Sequence, residues 1–323
     1  MEQNSSKDAA TRYVRRQSGT TRLGTCHAMF VSLTTTYHAA MIRTPFDPLP
    51  LLSRDPQRHI TPLKMYGLYR EAMRVLPIFA DTRNELPAAA LLIAPRSASQ
   101  YDQSHYADVQ WVVYPALPAN AGPGLMDAMA DAVVTAVGDE SFVLKTIDAS
   151  LPPLVQQRRG TQAAPAPECR RALCTFGVDK HPGASADGTV LVSARIPDVA
   201  RPLLRIHGVY SKAELDALFA DGSARCHVRL ADPSAGDGNA IGVLLTFPNT
   251  PAIHEIGSLH VRADARRAGH ARALLASALA DLRQRGLTVR YVVDAGNAPS
   301  IALATAVGLR EQFRLAHWVF AAS

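Results

Sequence analysis

The chain runs to 323 residues, 47% of them hydrophobic, with 34 Lys and Arg against 28 Asp and Glu for a formal net charge of +6. That is enough apolar material for one large or two modest packed domains, and it excludes a wholly disordered chain. No apolar run reaches the roughly 20 residues that cross a bilayer, and the mild basic excess suits an anionic small ligand, with RNA left open and DNA not indicated.

In chain order, the stretch from Ala9 to Phe46 carries Arg12, Arg15, Arg16, Arg22 and Arg43, many Ser and Thr, and no acid. Residues 1–34 read as a disordered basic tail, with an organellar transit peptide as the alternative. From Thr61 the pattern turns helical: in LKMYGLYREAMRVL, Leu63, Tyr66, Leu68 or Tyr69, Met73 and Leu76 fall on one face. Strands follow at Ala88–Ala94 and Asp108–Tyr114, separated by a polar turn, then a Pro/Gly/Ala loop, a helix over GLMDAMADAVVTAV and a strand at FVLKTID. Pro152 to Glu168 reads as a loop, RALCTFGV as a strand, and Asp179 to Gly188 as a linker. The domain boundaries predicted are a tail at 1–34, an accessory α/β domain at 35–180, a linker at 181–188 and a second domain at 189–323.

The second half opens with a helix at YSKAELDALFADG, where Ser211 and Glu214 have capping-box spacing and Gly222 follows the end. Strands CHVRL and IGVLLTF flank the turn ADPSAGDGNA, and HEIGSLHVR forms the next strand. ARALLASALADLRQRG is a helix with Leu274, Leu275, Leu279 and Leu282 on one stripe and Gly286 as its stop. TVRYVVD, APSIALATAVG and HWVF complete the chain as strand, helix and strand. Cys26, Cys169, Cys174 and Cys226 are scattered without metal-ligand spacing, which predicts free thiols, a reducing cytoplasm and no metal site.

Between HEIGSLHVR and the leucine-striped helix stands Arg266-Arg267-Ala268-Gly269-His270-Ala271. A helix start offers unpaired N–H groups and the positive end of the helix dipole, and small residues there let an anion reach the backbone. About 25 residues on comes Asn297-Ala-Pro-Ser300-Ile-Ala-Leu303-Ala304-Thr-Ala-Val-Gly308-Leu309. The two motifs, in this order with a strand between them, resemble those of the GNAT superfamily of acyl-CoA-dependent N-acyltransferases.

That resemblance implies an α+β (mixed α/β) fold with a central mixed sheet flanked by helices, acetyl-CoA as cosubstrate, and a small-molecule amine as acceptor. It implies a pyrophosphate site at Arg266, Arg267, Ala268, Gly269, His270 and Ala271. Backbone at Leu259, His260 and Val261 would bind the pantetheine arm, with Asn297 and Ser300 also at the cofactor. Glu255, at a position where some members carry a catalytic glutamate, is the first candidate for general base, and Ser300 is the second catalytic candidate. Alternation sets His254 and Glu255 on opposite faces and places His260 on the face of His254, as a second candidate base. Where many members have a tyrosine to protonate the leaving thiolate, this chain has Ala304; Tyr291 and His317 are candidate substitutes.

The first half imitates the pattern with Ala119-Asn120-Ala121-Gly122-Pro123-Gly124 before an alanine-rich helix, which predicts two tandem GNAT-like domains, the first degenerate. Two further functions stay open: transfer from an aminoacyl-tRNA, and a non-catalytic acyl-CoA-binding module. A monomer or homodimer without membrane attachment is expected.

Overall fold

The computed structural model describes residues 46–81, 86–160, 165–178, 189–207, 211–231 and 239–323. The N-terminal tail, the linker at 181–188 and most of the turn at 231–240 lie outside the described residues.

The chain enters through α1 (Leu49–Leu52) and α2 (Ile60–Tyr69), then a 3-10 turn and β1 (Arg74–Ile78). The helix expected through Leu76 therefore stops early. Pro77 disfavours helical backbone at the residue before it, and Val75 and Leu76 pair instead with Leu92 and Leu91. β2 (Ala89–Pro95) leads to α3 (Gln100–His105), which Ser99 caps through the Asp102 amide, so the polar link is more than a plain turn. β3 (Trp111–Ala116), α4 (Pro123–Val137) and β4 (Phe142–Thr146) form a parallel crossover unit.

The loop expected from Pro152 is in fact α5 (Leu151–Arg159), ending on Gly160 at φ +65°. Pro152 and Pro153 occupy the first turn, where a proline removes no intrahelical bond, and a proline-rich reading misleads there. β5 (Glu168–Gly177) closes the first half.

The second half follows as β6 (Val190–Ser193), α6 (Arg201–His207), α7 (Lys212–Leu218), β7 (Arg225–Leu230), β8 (Ala240–Pro248), β9 (Ile253–Val261), α8 (His270–Gln284), β10 (Thr288–Asp294), α9 (Ala298–Ala306) and β11 (Arg310–Phe320). The Ser211/Glu214 capping box forms at α7, both reciprocal bonds present.

Among the described residues the strands make one eleven-stranded mixed sheet in the order β1-β2-β3-β4-β11-β5-β10-β9-β8-β7-β6. Each half contributes antiparallel strands followed by a parallel pair joined through a long helix, β3–α4–β4 and β9–α8–β10. The last strand of each half crosses over: β5 pairs with β10 of the second half, and β11 with β4 of the first. Phe320 of β11 is thus buried in the core under α4, beside Leu144 and Met129, while Cys174 and Phe176 of β5 are buried under α8. A cut at residues 181–188 would leave both halves short of a central strand.

α8 lies close on the sheet because β8 has glycine where it crosses. A Cβ on Gly242 would stand 2.8 Å from Leu274 Cδ1 and 3.3 Å from the His260 carbonyl oxygen. Leu274, Leu275, Leu279 and Leu282 are all at most 2% exposed. The opposite face of this half packs on α6 and α7 through Leu203, Leu204, Val243, Leu245 and Phe247. No helix among the described residues is long and apolar enough to cross a membrane.

The histidines buried in the second half include His227, whose Nδ1 lies 3.2 Å from Ser277 Oγ, and His254 on β9. Burial pushes both imidazoles down to about 4. Because the folded values lie below the unfolded one of about 6.5, the folded state resists protonation. Their contribution to stability is complete above pH ~6.5 and is lost as pH falls towards about 4. A melting temperature that falls steadily between pH 6.5 and 4 is expected in thermal denaturation; a flat midpoint across that window contradicts it.

Candidate functional site

The site begins where two parallel strands part. β9 and β10 are paired from Ile253/Thr288 as far as Ile256/Tyr291 and no further. Beyond that point the ladder with β10 does not continue along Gly257 to Val261. On its other side β9 bulges: Leu245 faces Gly257 but Val243 faces His260, so three steps on β9 match two on β8. Ser258 takes up the extra residue at φ +52°, in the left-handed region that costs a side-chain-bearing residue roughly 1–2 kcal/mol.

The bulge corrects one expectation. Strict alternation puts His260 on the face of His254, but His260 opposes Val243, which packs under α6 and α7, so it shares the face of Glu255. His254 stays on the α8 face with Ile256. Leu259 and Val261 are partly buried against the α8 core. The Ser258 hydroxyl, which the sequence did not single out, is buried without a hydrogen-bond partner among the described residues.

The parted strands lead directly to α8. Arg267 and Gly269 both sit in the left-handed region, at φ +67° and +81°. The fold around them shapes the chain so that the amides of Arg267, Ala268, Gly269, His270, Ala271 and Arg272 reach no acceptor among the described residues. A Cβ on Gly269 would meet nothing within 4 Å, so open space lies above the backbone. Whereas Ser99 and Ser211 cap α3 and α7, the 15-residue α8 has no side-chain cap. Arg266 bonds back to the Val261 carbonyl at 3.1 Å, tying this turn to the end of β9. Unpaired amides, a helix dipole and exposed arginines together favour a multiply charged anion, and the open approach suits a pyrophosphate.

Glu255 stands one step before the parting, directly across from Arg290 on β10. Its carboxylate accepts from Asn249 Nδ2 at 2.7 Å and from Arg290 Nη1, with side-chain exposures of 16% for Glu255 and 11% for Arg290. Burial pushes the Glu255 carboxyl up, but Arg290, Lys64 of α2 and the Asn249 amide outweigh it and hold the group below the usual carboxylate value. Neither Asn249 nor Arg290 was visible as a site residue in the sequence, because their meeting with Glu255 depends on strand register.

Asn297 caps α9, its Oδ1 accepting from the Ser300 amide at 3.2 Å. Ser300 lies near the phenol of Tyr291, which is 4% exposed and whose pKa burial raises. Ala304 is fully buried. His317 belongs to the first half's side of the sheet, where its Nδ1 meets the Tyr106 hydroxyl and burial holds the ring neutral.

The first half repeats the frame without this chemistry. Its parallel pair also parts, after Val113/Leu144, and the residues matching Glu255 and Arg290 are Val112 and Val143, both buried in an apolar core. One step beyond, Lys145 is buried, paired with Asp102 and ringed by Tyr101, Tyr106 and Tyr114 at 5.2 to 5.5 Å. At the mouth of α4, Pro123 removes an amide and Gly122 is extended at φ −76°, unlike the left-handed turn before α8. Among the described residues no group of three His, Cys, Asp or Glu could hold a metal ion.

Comparison with known proteins came to the same part of the chain. Residues 198–309 match the model of the Acetyltransferase (GNAT) family. No curated protein matches the chain. Among solved structures, a GNAT-family acetyltransferase from Colwellia psychrerythraea is 9% identical with a TM-score of 0.51, covering 85% of this chain and 98% of its own. A Drosophila protein is 13% identical with a TM-score of 0.51, covering 86% and 97%. A tandem GNAT protein from the clavulanic acid biosynthesis pathway is 15% identical with a TM-score of 0.44, covering 81% and 88%. The first two share the fold of this chain over most of its length.

The bulge gives a direct test. Ser258→Gly should cost no more than about 1 kcal/mol, since glycine accepts φ +52° freely, whereas the β-branched Ser258→Val should cost at least about 1–2 kcal/mol. Equal losses for both variants in urea denaturation would contradict the left-handed backbone at this position.

Proposed function

We propose that the chain, whose residues 198–309 form a GNAT acetyltransferase domain, transfers an acetyl group from acetyl-CoA to the amine of a small molecule by direct attack. The observation that carries this reading is the run from Gly257 to Arg272. Along it, a strand that has passed the end of its ladder with β10 leads into a helix start whose amides reach no acceptor among the described residues, with open space above Gly269.

In this reading the amides of Arg267 to Arg272 hold the pyrophosphate, with Arg266 and Arg267 adding charge. The backbone of Leu259 to Val261, past the end of the ladder with β10, binds the extended arm as one more strand would, directing the thioester to the gap beside Glu255. The acceptor nitrogen attacks the thioester carbonyl carbon, the C–S bond breaks, and the nitrogen loses a proton. Glu255 takes that proton directly or through water. Arg290 and Asn249 keep its carboxylate ionised and fixed, so it is always ready to accept, at the expense of basicity. The departing sulfur needs a proton that Ala304 cannot supply. Ser300 and the Tyr291 phenol, whose pKa burial raises, are the donors in this chain. Asn297 fixes the start of α9 and thereby Ser300.

Calorimetry with acetyl-CoA and a CoA-release assay test the two ends of the site separately. Gly269→Glu, verified as folded, should abolish binding of acetyl-CoA, because a carboxylate fills the open space where phosphate would sit. Binding that survives this change sinks the cofactor site. Glu255→Gln should keep acetyl-CoA affinity and lower kcat by roughly 10²–10⁴-fold; an unchanged kcat removes Glu255 from the mechanism.

The Glu255 carboxyl lies below the ordinary carboxylate value, so it is ionised throughout neutral pH and its loss of function belongs to the acid side of that value. Between pH 6 and 9 the rate should therefore rise with deprotonation of the acceptor amine. A break near pH 6 to 7 that disappears in Glu255→Gln would contradict the ionised state.

A further inference from the structure

Glu255, Arg290 and Thr175 lie on the face of the sheet turned away from α8, each one residue out of step with Ile256, Tyr291 and Cys174, which pack under that helix. While α6 and α7 pack on part of this face, the first half of the chain also reaches it. Gln57, shortly before α2, lines a small recess with Thr175, Arg290 and Gln312. From α2 itself, the half-buried Lys64 places its Nζ 5.8 Å from the centre of the Phe247 ring, and Phe247 is the cross-strand neighbour of Glu255.

Three buried side-chain atoms here have no hydrogen-bond partner among the described residues: Arg290 Nε, Thr175 Oγ1 and Asn249 Oδ1. Thr175 is only 4% exposed. Buried polar groups are rarely left unpaired, because each one gave up water to be there. These three differ in what they ask for. Arg290 Nε donates and the Thr175 hydroxyl can donate, whereas Asn249 Oδ1 accepts and lies beside the Glu255 carboxylate, which also accepts.

The charges divide in the same way. Lys64 and Arg290 are two cations set against the single anion Glu255, and Lys64 makes no ion pair or hydrogen bond with any described residue. Its charge is felt at Glu255 without forming a bridge to it. One positive charge is left over on the acceptor side of the site, over Phe247 beside Glu255.

We infer that the acceptor is a zwitterionic amine of the α-amino acid type. Its nitrogen lies at Glu255 and Asn249, and a carboxylate a few bonds away is held by Arg290 Nε, Thr175 and Lys64. This rests on the acyl transfer proposed above and adds to it the class of acceptor and a role for the first half. Lys64 is a specificity residue supplied to the second half's site by a helix outside the family match, at residues 198–309. An amine without the carboxylate leaves two donors buried and unpaired and a cation uncompensated, so it is rejected by more than its lost contact area implies.

The experiment compares kcat/KM by CoA release for L-leucine with 3-methylbutylamine, L-phenylalanine with phenethylamine, and L-lysine with cadaverine, using the full chain. At least one amino acid should exceed its decarboxylated partner by about 10²-fold or more. Lys64→Met, which retains the contact with Phe247, should reduce that ratio about tenfold or more, and Lys64→Arg should restore most of it, with the change falling mainly in KM. Equal rates within every pair, a ratio untouched by Lys64→Met, or no product from any pair while acetyl-CoA still binds in calorimetry overturns the inference and leaves the cofactor site standing. Failure of acetyl-CoA to bind overturns the acyl-transfer reading itself and this inference with it.

Discussion

Two parallel strands that stop pairing after Ile256 and Tyr291 are the constraint on which the rest of the site depends. A continuous ladder would consume the edge of β9 and leave no way into the sheet. The bulge at Ser258 bends β9 out of that ladder at the cost of a left-handed serine, and α8, seated on Gly242, fixes where the following turn points. The strand edge past the ladder and the unpaired amides that a helix start leaves thus lie end to end along one run of chain. Glu255 and Arg290 stand on the last paired steps before it, where the backbone is still firmly held, so the charged pair is rigid beside a gap that is open.

The exchange of last strands explains why the two halves act as one molecule. With β5 lying between β10 and β11, neither half completes its core alone. Arg171 on β5 bonds Tyr101 of the first half and Asp294 of the second, the latter at 3.3 Å. The first half keeps the frame of the second, including the parted strands, yet fills its own gap with Lys145, Asp102 and three tyrosines and replaces the charged pair by two valines. Such a half can reach the Glu255 face of the second half with α2 while its own gap is filled.

Legibility in the sequence followed the range of the forces involved. The capping box at Ser211, the leucine stripe of α8 and the Arg266–Ala271 turn are local features, and each was visible as residues at a fixed spacing. The duplicated β–α–β grammar was visible for the same reason. α5 was hidden because Pro152 and Pro153 look like breakers unless they fall in a first turn, and β1 because Val75 and Leu76 continue a helical period until Pro77 ends it. His260 was placed on the wrong face because one extra residue in a strand inverts every alternation after it, and a bulge has no sequence mark here except a small serine. Arg290, Asn249, Thr175 and Lys64 carry no motif at all. They come together through register and strand exchange, which connect residues more than 200 positions apart only once the sheet is assembled.

The most direct measurement is amide hydrogen exchange, read by mass spectrometry, on the full chain with and without acetyl-CoA. Protection that appears at Gly257 to Val261 and at Arg267 to Arg272, and not at Ala119 to Leu125 of the first half, is the expected result. Protection at the first half's turn, or none along the β9 edge and the start of α8, would contradict a single acyl-donor site opened by the parting of β9 and β10.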